Sequence, residues 1–112
     1  MINLLSKDTL SIQDLQAFHS ALDQEKQFDQ DIFRNIACLT GEIGEVVSAI
    51  RKARKANNNA DELEAQSQVG EELADCLAYV IKLANYAGID LHEAYINKMK
   101  RNLTREWHSK IR

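Results

Sequence analysis

The chain contains no proline and only four glycines in its 112 residues. These two residue types interrupt helices more sharply than any others, so their scarcity leaves long stretches free to coil. Ala, Leu, Glu, Lys and Gln, all good helix formers, dominate the rest, and period-two alternation is scarce. The fold class read from this is all-α. By length the chain makes one domain, residues 1–112, with a modest core.

Residues 1–10 read as a short lead-in, extended or a single turn. Ser11 with Asp14 has the form of a capping box, and Ile12, Leu15, Phe18 or His19, and Leu22 recur at helical spacing to about Glu25. Residues 24–30 are polar apart from Phe28. That predicts a connection whose ring either packs under the loop or faces a ligand. A second helix starts near Asp29 or Asp31 and runs to about Ala56, with a stripe of Ile36, Leu39, Ile43, Val46 or Val47, and Ile50. It ends in Arg51, Lys52, Arg54 and Lys55, the sign a helix C-terminus favours, unless a polyanion lies nearby. Asn57, Asn58 and Asn59 make a turn. Asp61 with Glu64 resembles the cap of a third helix over about 61–87, striped by Val69, Leu73, Leu77, Val80 and Ala84. Gly88 suits a left-handed terminating residue, and Asp90 with Glu93 caps a fourth helix reaching about Trp107 or Ser109. Four helices on short links predict an antiparallel four-helix bundle.

A formal charge of −3 gives no electrostatic footprint for nucleic acid. No run approaches the ~18 apolar residues of a membrane span, and the N-terminus lacks a signal-peptide pattern, so cytoplasm is the expected address. Cys38 and Cys76 fall inside apolar helical patterns and read as buried reduced thiols.

The stretch Gly41–Asp75 carries the chemistry. It opens with Gly-Glu-Ile-Gly-Glu and closes with Gly-Glu-Glu-Leu-Ala-Asp, placing Glu42 with Glu45, and Glu72 with Asp75, three apart on helix faces. A single such pair is ordinarily solvated surface. Here Glu42 and Glu45 lie roughly 90° and 150° from their stripe centre, and Glu72 and Asp75 roughly 95° and 155° in the same sense. Antiparallel neighbours related by a local two-fold bring such flanks together. Glu45 and Asp75 would then point largely outward, which favours a groove walled by a second subunit. Gathered carboxylates repel and raise one another's pKa, and a hard cation removes that penalty. All-oxygen ligation suits Mg²⁺ or Mn²⁺ rather than zinc. A di-iron bundle wants Glu-x-x-His, and none of His19, His92 and His108 follows an acidic residue at that spacing. Gly41 and Gly44, costly inside a helix, suggest close approach of a backbone or ligand, or simple packing.

Gly-Glu-Ile-Gly-Glu followed by Glu-Glu-Leu-Ala-Asp resembles the ExxE…ExxD signature of the all-α, MazG-like nucleoside triphosphate pyrophosphohydrolases, most nearly the dCTP pyrophosphatase type. The likeness runs from about Arg34-Asn35 to Arg105 and includes Tyr79, Gly88-Ile89-Asp90-Leu91 and Lys98 to Arg105. It implies hydrolysis between the α and β phosphates, with monophosphate and pyrophosphate as products, and clearing of damaged or surplus nucleotides. Glu42, Glu45, Glu72 and Asp75 match the family's magnesium ligands. Lys98 and Asn102 match positions that hold substrate, Arg34 and Asn35 the segment entering the base pocket, and Tyr79 a residue packing on sugar or base. Such bundles work as homodimers or homotetramers. The chain departs from the family at Asp31-Ile32-Phe33, where His-x-Pro is frequent, and at Glu106-Trp107, where Tyr-Pro is frequent; both bear on base preference. One of the four carboxylates, Glu45 being one choice, would take the proton of the attacking water, with Glu71, one residue before the second pair, as an outer helper. The basic residues at 51–55 with Lys98 would stabilise departing pyrophosphate. Two rivals are a non-catalytic helical oligomerisation module and an oxygen-dependent enzyme with an all-carboxylate metal site.

Overall fold

The computed structural model describes residues 2–105, which form α1 (Ile2–Leu5), α2 (Ile12–Lys26), α3 (Ile32–Lys55), α4 (Asn59–Tyr86) and α5 (Leu91–Thr104). No strand occurs among the described residues. Local chemistry fixes the boundaries. Ser11 Oγ accepts from the Asp14 N–H at 3.0 Å while the Asp14 carboxylate accepts from the Ser11 N–H at 2.9 Å, a complete capping box. Asp31 caps α3 and Asp90 caps α5 with the side-chain half of that motif alone, their carboxylates accepting from the Arg34 and Glu93 N–H groups. The α4 cap is Asn58 rather than Asp61: Asn58 Oδ1 accepts from the Asp61 N–H at 2.8 Å, and Asp61 lies within the first turn. Gly88, at φ 70°, ends α4 with the Ile89 N–H donating to the Ala84 carbonyl and the Gly88 N–H to that of Asn85. Those paired bonds define a Schellman stop, which needs the left-handed residue glycine supplies. The expected helix end near Trp107 or Ser109 lies outside the described residues.

α3 and α4 form an antiparallel hairpin of roughly 36 Å and 42 Å arms. The shielded positions on α3 are Asn35, Leu39, Glu42, Val46, Ala49 and Ala53; those on α4 include Ala65, Val69, Glu72, Cys76, Tyr79, Leu83 and Tyr86. Both series alternate steps of four and three, the spacing of a coiled-coil seam. Ala49 and Ala65, 6% and 7% exposed, let the backbones approach near the turn.

Of the expected aliphatic stripes, Leu39, Val46 and Val69 enter this seam, and most of the remaining residues lie beside it. Ile36, Ile43, Val47 and Ile50 on α3, with Leu73, Leu77 and Val80 on α4, remain 39–52% exposed. Cys38 is also exposed and Cys76 half-buried; both are free thiols, but neither is a core residue. The helices meet along the flanks that carry the acidic residues, so the broad apolar faces point elsewhere.

α2 packs on the C-terminal half of α4. Gln16 donates to Asn85 Oδ1 and to the Ile89 carbonyl, each at 2.9 Å, and accepts from the Leu91 N–H at 3.0 Å. That knot fixes the α4–α5 corner. α5 leaves it against α2 rather than along the hairpin, with Tyr95 53% and Leu103 85% exposed. The described residues of one chain therefore do not by themselves close a four-helix bundle. Its radius of gyration is 16.9 Å, against about 13 Å for a compact domain of this length. Its surface of 8663 Å² compares with about 6,200 Å² for a folded monomer of this mass.

Candidate functional site

The seam brings Glu42 of α3 to Glu72 and Asp75 of α4. One carboxylate oxygen from each lies within 4.8 Å of the other two. Glu42 and Glu72 are half-buried and Asp75 is exposed. The Glu72 carboxyl is pushed above the usual carboxylate range, first by desolvation, then by the facing Glu42 carboxyl and the charges of Glu45 and Asp75. The neighbouring Cys76 thiol is pushed up as well, by desolvation and then by the same acidic groups. These groups form a pocket of negative potential with no cationic partner among them.

Glu45 stands one turn further along α3, exposed and outside the group of three. It lines a polar groove with Lys52, Glu71 and Glu72. Gly41 and Gly44 face open space: a Cβ on either would meet nothing within 4 Å. Neither the backbone nor a packed side chain of this chain explains them.

One helical turn from the cluster in the other direction, a pocket of about 350 Å³ opens between the α2–α3 connection, α3 and α4, lined by Phe28, Asp29, Arg34, Asn35, Cys38, Tyr79 and Lys82. Three residues singled out by resemblance, Arg34, Asn35 and Tyr79, thus share one cavity. Arg34 is ion-paired to Asp29 at 2.9 Å. The Tyr79 hydroxyl is pushed up, first by desolvation and then by its contact with Cys38. Phe28 faces this pocket and is 46% exposed, so its ring is not packed under the loop.

Lys98 and Asn102 are not brought to the acidic cluster. Both ride on α5, and neither lines the groove or the pocket. Sequence reasoning missed Asp23, 3% exposed on α2, and Lys82, whose side chain is 12% exposed. Asp23 follows Leu22 and sits one turn beyond His19, on the face the apolar spacing turns inward, and a charge there was the available signal.

The fold and site together define an all-α protein whose two longest helices converge their carboxylates beside a partly aromatic pocket. Residues 30–108 match the MazG nucleotide pyrophosphohydrolase domain, and the chain belongs to that family. The match takes in the hairpin, the corner and α5. No curated protein matches the chain. No helix among the described residues is long and apolar enough to cross a membrane.

Proposed function

We propose that this protein hydrolyses nucleoside triphosphates, deoxynucleotides included, to the monophosphate and pyrophosphate with the help of a divalent cation. The observation that carries the reading is the convergence of Glu42, Glu72 and Asp75 within 4.8 Å on a hairpin of the MazG family.

The residues fit a hard metal ion. They offer only carboxylate oxygen, which suits Mg²⁺ with Mn²⁺ as a substitute. Their mutual repulsion, expressed in the raised Glu72, is what a cation would relieve. Glu42, Glu72 and Asp75 would hold it, with Glu45 one turn away. When bound, the ion supplies charge neutralisation for the triphosphate and a more acidic water. Glu45, exposed and outside the trio, is the carboxylate left to accept the attacking water's proton. Lys52, in the same groove, faces the space that departing pyrophosphate would fill. The pocket beside Tyr79 would hold the base, with Arg34 and Asn35 at its wall.

The working form on this reading is a homodimer or homotetramer. The exposed stripes on α3, α4 and α5 need cover, and the excess surface is of the order of ~2,000 Å² or more that obligate interfaces bury. A second copy would also supply the Lys98 and Asn102 that one chain leaves far from its own acidic cluster. The apolar faces alone would suit a non-catalytic assembly module equally well; the carboxylate cluster favours the enzyme.

The test is pyrophosphate release from a panel of canonical and modified deoxynucleoside triphosphates, with Mg²⁺ and with EDTA. Magnesium-dependent pyrophosphate with monophosphate as the other product is expected. No release from any triphosphate would leave the module as the better account.

A further inference from the structure

We propose that Lys82 reads the nucleobase, donating a hydrogen bond from its ammonium to a ring carbonyl oxygen; this rests on the pyrophosphohydrolase reading of the pocket. Lys82 occupies a buried stretch of α4 between Ile81, 1% exposed, and Ala84, 7% exposed. Among the described residues its one ionic partner is Asp23, with Nζ 3.3 Å from Oδ1, and that oxygen receives no hydrogen bond from them. The other carboxylate oxygen is taken by the Tyr86 hydroxyl at 2.5 Å. An ammonium has three N–H donors. Here none is spent on a well-formed hydrogen bond, although the group is largely out of water.

Stability gives little reason to keep this arrangement. A buried ion pair roughly breaks even against apolar side chains of the same volume, because both charges must be desolvated. The position of the ammonium gives a better one. It lies 5.0 Å from the Phe28 ring centroid and 5.3 Å from that of Tyr79, the two rings that line the pocket. Both distances fall within the range of cation–π attraction, which holds the head group at the cavity wall. Asp23, oriented by Tyr86, anchors it from behind.

Asn35 complements it. The residue is 4% exposed, and its amide donates to the Asp29 carbonyl at 2.9 Å and the Asp31 carbonyl at 2.7 Å. Both its hydrogens are therefore used, and what it offers the pocket is an acceptor oxygen. A donor from Lys82 and an acceptor from Asn35, flanked by aromatic surface, match a base with a carbonyl beside an N–H. Uracil, thymine, guanine and hypoxanthine present that edge; cytosine presents a carbonyl and an amino group; adenine has no carbonyl. The pocket should discriminate against adenine.

The experiment compares kcat/KM for pyrophosphate release from dUTP, dCTP, dITP and dATP in Mg²⁺. The dITP/dATP pair exchanges a carbonyl beside an N–H for an amino group beside an unprotonated ring nitrogen, at constant ring size, and the Lys82 variants assign the carbonyl's share. Wild type should favour dITP over dATP by roughly ten- to a hundredfold, the worth of one charge-assisted hydrogen bond. Lys82→Met should bring that ratio to within about twofold, and Lys82→Arg should retain part of it. Because Lys82→Met leaves Asp23 buried without its partner, the double variant Asp23→Asn/Lys82→Met is measured alongside, with folding checked by circular dichroism. An equal loss on every triphosphate, or an unchanged ratio in a folded variant, overturns the assignment of Lys82 while leaving the pyrophosphohydrolase reading intact. No pyrophosphate from any triphosphate with wild type removes both.

Discussion

Desolvation first, then Glu42 across the seam and the charges of Glu45 and Asp75, push the Glu72 carboxyl above the ordinary carboxylate range. The folded chain thus holds a proton there over a pH interval in which the unfolded chain has already released it. The contribution of Glu72 to metal-free stability is full below the ordinary glutamate pKa and is lost as pH rises through the raised value. In EDTA, melting temperature should therefore drop toward neutral pH more steeply for wild type than for Glu72→Gln; parallel profiles would mean that the carboxylates do not face one another in solution. On the proposed function, Mg²⁺ raises the melting temperature of wild type at pH 7 but not of Glu72→Gln. Turnover in that variant should fall by more than the ~10–100-fold that follows loss of a group merely supporting a metal ligand. Asp14 behaves in the opposite sense. Hydrogen bonds from the Ser11 N–H and from Lys7 draw it down to about 2, so its contribution is present above the ordinary aspartate value and is lost as pH falls toward 2. Asp14→Asn should flatten that acid limb in a melting series. The spacing of the four acidic residues was legible because helical neighbours are set by local geometry. Lys82 and Asp23 were not, because their pairing exists only once α2 crosses α4.

The helices themselves are local products, and their ends show it. Removing the Asn58 side chain by substitution with Ala should cost about 1 kcal/mol by thermal or urea melting, the usual worth of an N-cap, whereas Asp61→Ala should cost less. The two are distinguishable because only Asn58 accepts from the first-turn N–H. Gly41 and Gly44 make the complementary case. Each weakens α3 by about 1 kcal/mol relative to Ala, and a Cβ at either meets no atom within 4 Å. Gly41→Ala and Gly44→Ala should each raise the melting temperature. A fall would reveal a second backbone lying against that face. Ser11, Gly88 and Asp90 were legible as stops and starts from residue type alone, and the start of α3 was narrowed to Asp29 or Asp31, of which Asp31 is the cap. The choice between Asn58 and Asp61 was not, since two capping residues three apart compete and the turn geometry picks one.

At the scale of the molecule, the unusual quantity is how little of the chain's aliphatic surface one copy hides: Ile81 is its only large side chain with less than 2% exposure among the described residues. On the proposed assembly, sedimentation should show a dimer or tetramer. Leu73→Asp/Leu77→Asp should dissociate it and lower the melting temperature together, while a monomer, with those residues 52% and 51% exposed, would scarcely respond. Residue types and their spacing determined by themselves that this protein is helical, where most of its helices stop, and which four acidic residues stand three apart in pairs. Each of those is decided within one or two turns of chain, where propensity, capping and the 3.6-residue period act. Only the tertiary structure decided that α3 and α4 meet along the flanks that carry the acidic residues, leaving most of their aliphatic stripes outside, that α5 leans on α2, and that Lys82, Phe28 and Tyr79 line one pocket with Asp23 paired to Lys82. Those outcomes depend on which of several apolar faces finds a partner first within the chain, and burial is non-directional: it rewards any apolar face that is covered without specifying by what.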